Sequence, residues 1–248
     1  VTVNSDYTFG DEGVIFRDLR AEDDITVRHT ETGATVTFTA FADANANLVD
    51  IDTGLPYAAP SELDDEILTD VPQLFLHTNG AIIATELKGD MLVGHIESTA
   101  GDVTLYSPAR ILDANSEPTI DVTGVNITMT SGVPNLESSA VFMGGIGEFD
   151  DYLEINVDRN NDTAPGVLNA FDNNAPSNGG IYLDELSGDM EVDTVDTVAD
   201  VSLRTRAGSI RDARGGGTGD AAANVLAQTI DIDANGGSIG NPDGSNDL

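Results

Sequence analysis

The sequence predicts an all-β fold, a parallel β-helix, and three observations support this prediction. Short stretches such as "GIYLDEL", "DMEVDTV" and "TIDIDAN" alternate apolar and polar residues, as strands with one buried and one solvated face do. In the last third of the chain, apolar centres recur about every nine to eleven residues, with Gly, Asn, Asp or Ser between them. The third observation is an internal repeat, because stacked units of similar sequence are typical of solenoids.

The repeat is clearest in one phrase that occurs twice. Residues 79–91 read "NGAIIATELKGDM", and residues 178–190 read "NGGIYLDELSGDM", with no gap in the alignment. The match continues downstream of both phrases, and a fainter third copy begins with "GVIFRDLRAEDDITV" at residue 13. We therefore place repeat copies near 13–41, 79–132 and 178–248, in a single repetitive segment, 1–248, of a larger protein.

The unequal spacing of the copies favours a solenoid over tandem β-sandwiches, which are the alternative. A sandwich is a closed set of about seven strands and cannot easily lose a third of its length. A solenoid gains or loses coils and extends loops from one corner without disturbing the other coils.

Two regions interrupt the strand pattern, residues 42–72 and 133–178. They hold most of the prolines and many Asn and Asp residues, which are turn and loop formers. We expect these regions to be loop-rich excursions from the solenoid, and loops on a rigid scaffold are common places for binding sites.

Charge excludes one class of partner and suggests another. The chain has 44 Asp and Glu against 10 Lys and Arg, a formal net charge of -34, so phosphate backbones are repelled and nucleic-acid binding is not expected. Such dense carboxylates indicate screening by salt or bridging by divalent cations. Cysteine is absent, which excludes disulfides and thiolate metal sites, and no apolar run is long enough to predict membrane insertion.

Calcium is the predicted cofactor, because three motifs alternate Asp with Asn or Asp. Oxygen ligands at alternate positions of a turn can converge on one hard cation. The alternative is ordinary turn chemistry or, in "DIDANG", a strand with outward Asp residues that ends in an Asn-Gly turn. An EF-hand is excluded there, because Pro242 occupies the position of the bidentate Glu. The candidate ligands are Asp43, Asn45 and Asn47; Asp158, Asn160 and Asp162; and Asp231, Asp233 and Asn235.

Four arginines in "LRTRAGSIRDARGGG" are the candidate anion-binding residues. A stacked set of guanidinium groups can hold a carboxylate or sulfate ligand through bidentate contacts. The alternative is that they neutralise Asp residues on adjacent coils. The four are Arg204, Arg206, Arg211 and Arg214.

The phrases "AGDVTLYSPARILDA", "SLRTRAGSIRDARGGGTGDAAANVLAQTIDIDANGGSIGNPDGSNDL" and "GGIYLDEL" resemble the degenerate repeats of giant bacterial surface proteins related to filamentous haemagglutinin. The resemblance implies a right-handed β-helix that forms the stalk of a secreted adhesin, with coils of about twenty residues. These motifs describe coil geometry, and the resemblance supplies no catalytic residues.

We therefore expect a non-enzymatic, extracellular structural or adhesive segment, secreted or at a cell surface. Its expected partners are neighbouring segments of the same protein, through end-to-end self-association into a filament, and a surface polysaccharide. The alternative is a secreted β-helix polysaccharide lyase or hydrolase. Paired carboxylates such as Asp150 and Asp151 suit such chemistry, but pairs arise by chance in so acidic a chain.

Overall fold

The computed structural model describes residues 2–4, 25–28, 67–69, 73–78, 80–86, 89–133, 143–157, 165–173, 179–214 and 223–240. These residues form seventeen strands and no helix, which confirms the all-β prediction. The first nine strands are β1 Thr2–Asn4, β2 Ile25–Arg28, β3 Ile67–Thr69, β4 Leu74–Thr78, β5 Ile82–Glu86, β6 Met91–Ser98, β7 Val103–Ser107, β8 Ile111–Asp113 and β9 Val122–Thr123. The others are β10 Ile127–Ser131, β11 Leu153–Asn156, β12 Leu168–Asp172, β13 Gly180–Glu185, β14 Met190–Asp196, β15 Asp200–Asp212, β16 Val225–Leu226 and β17 Thr229–Ile239.

The strands pair in two parallel columns. Column one contains β1, β2, β4, β6, β9, β11, β13, β15 and β17, with β8 also paired to β6. Column two contains β3, β5, β7, β10, β12, β14 and β16, and the C-terminal part of β15, from Ile210, pairs with β14 in the same column. Because successive strands alternate between the columns from β2 to β8 and from β9 to β17, the chain winds through a solenoid-like stack of coils.

Antiparallel pairing, which a β-sandwich requires, is almost absent from the described part of the chain. There it is limited to one isolated bridge, between Glu148 and Asp151. The pairing therefore supports a parallel solenoid and gives no support to tandem sandwiches.

A single apolar core lies between the columns. Alternate residues of each strand point inward, so that parallel register places aliphatic side chains directly above one another in ladders. One ladder of column two has no member more than 2% exposed; it consists of Ile82, Val103, Ile127, Leu168 and Val192. The burial of this continuous aliphatic stack is the main source of stability.

The repeated phrase forms a corner between two strands. Gly89 and Gly188 occupy matching positions in the two copies and have φ angles of +82° and +101°, which favour glycine. Two residues later, Met91 and Met190 begin the next strand with side chains that are fully buried in the core. The phrase therefore codes for a turn out of one strand and into the next.

An aspartate in each corner fixes the following coil. Asp90 Oδ1 accepts a hydrogen bond from the backbone N–H of Arg110 at 3.0 Å, and Asp189 Oδ1 accepts one from Ser209 at 2.6 Å, in each case 20 residues further along. A guanidinium group also reaches each aspartate, from Arg110 and Arg211 respectively. The two copies thus make the same coil-to-coil contact.

The two corners nevertheless lie on opposite sides of the stack. The first copy leads from β5 in column two to β6 in column one. The second copy leads from β13 in column one to β14 in column two. The sequence repeat therefore marks a local corner and not an equivalent position in the coil.

The region 133–178 is more regular than its composition indicates. Strands β11 and β12 lie within it, one in each column, and Ile146 bridges Ile111 and Ile181. Apolar residues at the inward positions of these strands outweigh the loop formers around them. Of 42–72, the structure describes only the backbone of residues 67–69, in β3.

Candidate functional site

One outward position of column one carries charged residues on five successive strands, and we call this row the polar ladder. The register places Val122 beside Ile155, so the preceding residues of the two strands also lie side by side. Further pairings extend the row from β11 through β13 and β15 to β17. Its members are Asp121, Glu154, Asp184, Arg204 and Asp233.

Two arginines neutralise the middle of the polar ladder. Arg204 Nη2 and Arg206 Nε both donate to Oδ2 of Asp184, at 3.0 and 2.9 Å, and Asp184 is buried. Arg206 Nη2 also reaches Glu154 Oε1 at 3.2 Å. The guanidinium carbon of Arg204 lies 3.4 Å from the ring centre of Tyr152, a cation–π contact that holds this arginine against the sheet.

Glu154, which Arg206 contacts, belongs to a cluster of three carboxylates. We call Asp113, Asp121 and Glu154 the acidic cluster. One oxygen from each residue lies within 4.8 Å of the other two. Asp121 has no exposed surface and Glu154 is 6% exposed, whereas Asp113, at the end of β8, is half-buried. Three carboxyl groups are thus brought together largely out of contact with water.

Hydrogen bonds satisfy only part of the acidic cluster. Asp121 Oδ2 accepts the backbone N–H of Glu154 at 2.9 Å, and Asp113 Oδ1 accepts that of Asn115 at 2.9 Å. The other oxygens of these two aspartates, Asp121 Oδ1 and Asp113 Oδ2, are buried without a hydrogen-bond partner. An unsatisfied buried acceptor is costly, on the order of 1 to 3 kcal/mol and more for a charged group.

The surroundings favour uncharged forms of these carboxyls. The pKa of Asp121 is raised to about 9, first by burial and then by the negative charges of Asp113 and Glu154, although the hydrogen bond from the Glu154 backbone acts in the opposite direction. Burial also raises the pKa of Glu154 to about 7, although a hydrogen bond with Asp121 and the charge of Arg206 act in the opposite direction. The acidic cluster therefore needs a proton or another positive charge at neutral pH.

All four predicted anion-binding arginines contact carboxylates of neighbouring coils. Besides the pairs of Arg204 and Arg206, Arg211 Nη1 lies 2.7 Å from Asp189 Oδ2, and Arg214 Nε lies 2.7 Å from Asp193 Oδ1. The arginines thus neutralise acidic residues on adjacent coils, which is the alternative to anion binding that the sequence allows. Binding of an external anion stays a prediction.

The structure describes one of the three predicted calcium motifs, and it is part of a strand. Asp231, Asp233 and Asn235 lie within β17 and are exposed. Asp231 Oδ2 accepts a hydrogen bond from Ser202 Oγ at 3.3 Å, and Asp233 is the register partner of Arg204. An extended strand does not fold its oxygens around an ion as a turn does. The motifs at 43–47 and 158–162 lie outside the described residues.

The histidines that the structure describes lie at exposed strand positions. The ring nitrogens of His77 and His95 lie 3.0 and 3.6 Å from Glu97 Oε2, and both side chains are more than 40% exposed. They occupy lateral positions on adjacent strands, β4 and β6.

The sequence alone does not predict the acidic cluster, because its members are far apart in the chain. Asp121 and Glu154 become neighbours only through the register of β9 and β11, across coils of unequal length. One signal was present, since "IDV" at 120–122 and "LEI" at 153–155 both place an acid between two aliphatic residues. Stacking these triplets would have shown the contact.

Comparisons with known proteins identify no relative: no family model matches the chain, and neither the curated proteins nor the solved structures contain a significant match. None of the described residues belongs to a helix that is long and apolar enough to cross a membrane.

Proposed function

We propose that this chain is a non-enzymatic structural segment, a parallel β-helix from the stalk of an extracellular surface protein of the filamentous-haemagglutinin type. In this proposal, the stacking of coils into a stiff rod that displays loops is the function itself. Adhesion to a surface polysaccharide would then depend on the displayed loops, and the rod would position them.

The observation that carries the proposal is the use of charged side chains between coils. Arginines of β15 contact acids of β11, β13 and β14, and corner aspartates hold the backbone of the following coil. An enzyme active site typically directs such groups into an open cleft. Here they contact neighbouring strands, as expected where stiffness is required.

The exposed strand β17 supports end-to-end association. Ile230 and Ile239 continue the aliphatic ladders of Val201 and Ile210, yet they are 47% and 53% exposed. Unpaired strand edges that carry apolar side chains are templates for pairing with another chain. We propose that a further segment of the same protein, or a second copy, stacks on β17.

The rival function, cleavage of a polysaccharide, requires carboxyl groups that a sugar chain can reach. Asp121, whose raised pKa would suit a general acid, has no exposed surface, and Glu154 is 6% exposed. This burial favours the structural proposal over the hydrolase or lyase.

Sedimentation velocity over a range of concentrations, with electron microscopy of the same samples, tests the proposal. The nine strands of column one, spaced about 4.8 Å apart, form a stack about 40 Å long, and we expect rods in multiples of that length. Ile230→Asp with Ile239→Asp should abolish the multiples. Val198→Asp is the matched control, because Val198 is 68% exposed but lies outside β17.

Two results would contradict the proposal. One is a protein that stays monomeric at every concentration. The other is release of reducing ends or unsaturated uronates from a polysaccharide, with loss of that activity when one carboxylate is replaced.

A further inference from the structure

We infer that Asp113, Asp121 and Glu154 bind one divalent cation of the calcium type. This inference goes beyond the structural role proposed above and does not depend on it. The three side chains lie close together within one chain, whether or not the chain is part of a rod. The inference also assigns the cation to residues other than those of the three motifs that the sequence predicts.

The spacing of the carboxylates suits a calcium ion. The ligand oxygens lie within 4.8 Å of one another. Calcium–oxygen distances are about 2.3 to 2.6 Å, so two oxygens on opposite sides of one ion stand about 5 Å apart. One oxygen from each residue can therefore contact the same ion without rearrangement of the strands.

The unsatisfied oxygens independently indicate a ligand. Asp121 is fully buried, and its Oδ1 has no hydrogen-bond partner, although Oδ2 is held by the backbone of Glu154. Asp113 Oδ2 is unsatisfied in the same way. Nearly all buried polar atoms in proteins have a partner, and a cation would supply one to both oxygens.

The local charge also matches a divalent ion. The contiguous buried and half-buried carboxylates are those of the acidic cluster and Asp184, and the cations in contact with them are Arg204 and Arg206. When all of these groups are ionised, two negative charges remain. Asp151, whose negative charge acts on Asp113 from the adjacent turn, adds to the negative potential.

The chemistry of the donors selects the ion. All three ligands are carboxylates, which suit hard cations, whereas zinc prefers nitrogen and sulfur donors. Calcium accepts irregular coordination, but magnesium requires nearly octahedral geometry at shorter distances. The three ligands come from a strand end, a loop and a neighbouring coil. Such a set forms the irregular coordination that calcium accepts more readily than the octahedron that magnesium requires.

A bound ion would connect the polar sides of three segments of the solenoid. Asp113 ends β8, Asp121 precedes β9, and Glu154 lies on β11. The segment 114–120 between the two aspartates is largely exposed. An ion between its two ends would close this loop and attach it to the next coil.

Melting experiments on the whole chain test the inference with substitutions that keep shape. Asp121→Asn and Glu154→Gln replace carboxylates with neutral groups of equal size. In chelator, we expect both variants to melt no lower than the wild type. Calcium should raise the melting temperature of the wild type more than sodium chloride of equal ionic strength does, and this excess should be absent in both variants. Glu117→Gln, an exposed change in the same loop, should retain it.

Terbium luminescence gives a second measurement, since the chain has no tryptophan and Tyr152 lies two residues from Glu154. Tyrosine-sensitised emission should appear with the wild type and Glu117→Gln, decrease in Asp121→Asn, and be displaced by calcium at lower concentration than by magnesium. An equal calcium shift in Asp121→Asn and the wild type would overturn the inference, as would equal effects of calcium and sodium salts on the wild type. Displacement by magnesium at the lower concentration would overturn the assignment to calcium.

Discussion

The middle of the polar ladder and its Asp121 end solve one electrostatic problem in different ways. Around Asp184, two guanidinium groups from the next coil contact Oδ2 of the buried carboxylate, although its Oδ1 has no hydrogen-bond partner. Around Asp121, one coil beyond Glu154, the described residues supply no such contact, and two oxygens remain unsatisfied. Parallel register stacks like charges on one another whether or not a counter-charge is available. A solenoid therefore needs a cation for each such stack, from its own sequence or from solution.

The largest expected effect comes from removing the arginines. The double substitution Arg204→Gln with Arg206→Gln leaves Asp184 buried and without an ion pair. We expect it to lower the free energy of unfolding by about 3 kcal/mol. This value is at the lower end for broken buried ion pairs, because both guanidinium groups are partly exposed. Urea unfolding measures this loss. Adding Asp184→Asn should restore much of it, and a triple variant no more stable than the double would show that the arginines act through packing alone.

In chelator, the pH dependence of stability should report on the Asp121 end of the polar ladder. The folded pKa of Asp121, about 9, is above its unfolded value, so this group contributes stability that is complete below pH 4 and is lost as the pH rises towards 9. We expect a decrease of about 2 kcal/mol between pH 5.5 and 7 from one retained proton. The groups that face it are Asp113, Glu154, His95 on the neighbouring strand and, one strand further in the other direction, Asp184 with Arg206.

The control for this prediction is Asp121→Asn, whose stability should vary less over the same pH range. Equal slopes for variant and wild type would mean that general charge repulsion, and not this carboxyl, sets the pH dependence.

The two corners provide an internal standard, because they should respond equally. Gly89→Ala and Gly188→Ala force a side chain into positive φ, while an added Cβ meets nothing within 4 Å at either position. We expect each substitution to cost about 1 kcal/mol in urea unfolding. A cost at one corner alone would contradict the structural equivalence of the two phrases.

The smallest effect should come from giving the acidic end an arginine. Ile96 pairs with Val122, so His95 lies beside Asp121, and His95→Arg would place a guanidinium near the acidic cluster. In chelator we expect a gain of about 0.5 kcal/mol, with a smaller additional gain from calcium. His77→Arg, one strand away beside Glu97, is the control. An unchanged calcium response in His95→Arg would argue against a shared electrostatic role.

Local periodicity was sufficient to predict the strands and their parallel stacking. Alternation is a property of a few adjacent residues, and the unequal repeat spacing already disfavoured closed sandwiches. Local periodicity could not predict the acidic cluster, because the contact between its members depends on the number of residues in each coil. Met91 pairs with Ile111, 20 residues on, whereas Val122 pairs with Ile155, 33 residues on. Without those lengths, no pattern shows that Asp121 meets Glu154.

The density of proline, Asn and Asp in 133–178 concealed two strands in the described part of that region. Those residues surround β11 and β12, whose own inward residues, such as Leu153 and Leu168, are fully buried. The four arginines predicted to bind an anion are the opposite case, because their clustering is conspicuous in the sequence. In the structure, these arginines form ion pairs with carboxylates of neighbouring coils.

The placement of the two corners on opposite sides has a consequence for how such a chain can grow. A duplicated unit of one strand and one corner, inserted into the gene, shifts every later strand to the opposite wall. Both walls present the same aliphatic alternation inward, so the shifted strands still find matching neighbours. Lengthening can thus proceed by half-turns, and the irregular intervals between the copies are what such stepwise duplication would leave in the sequence.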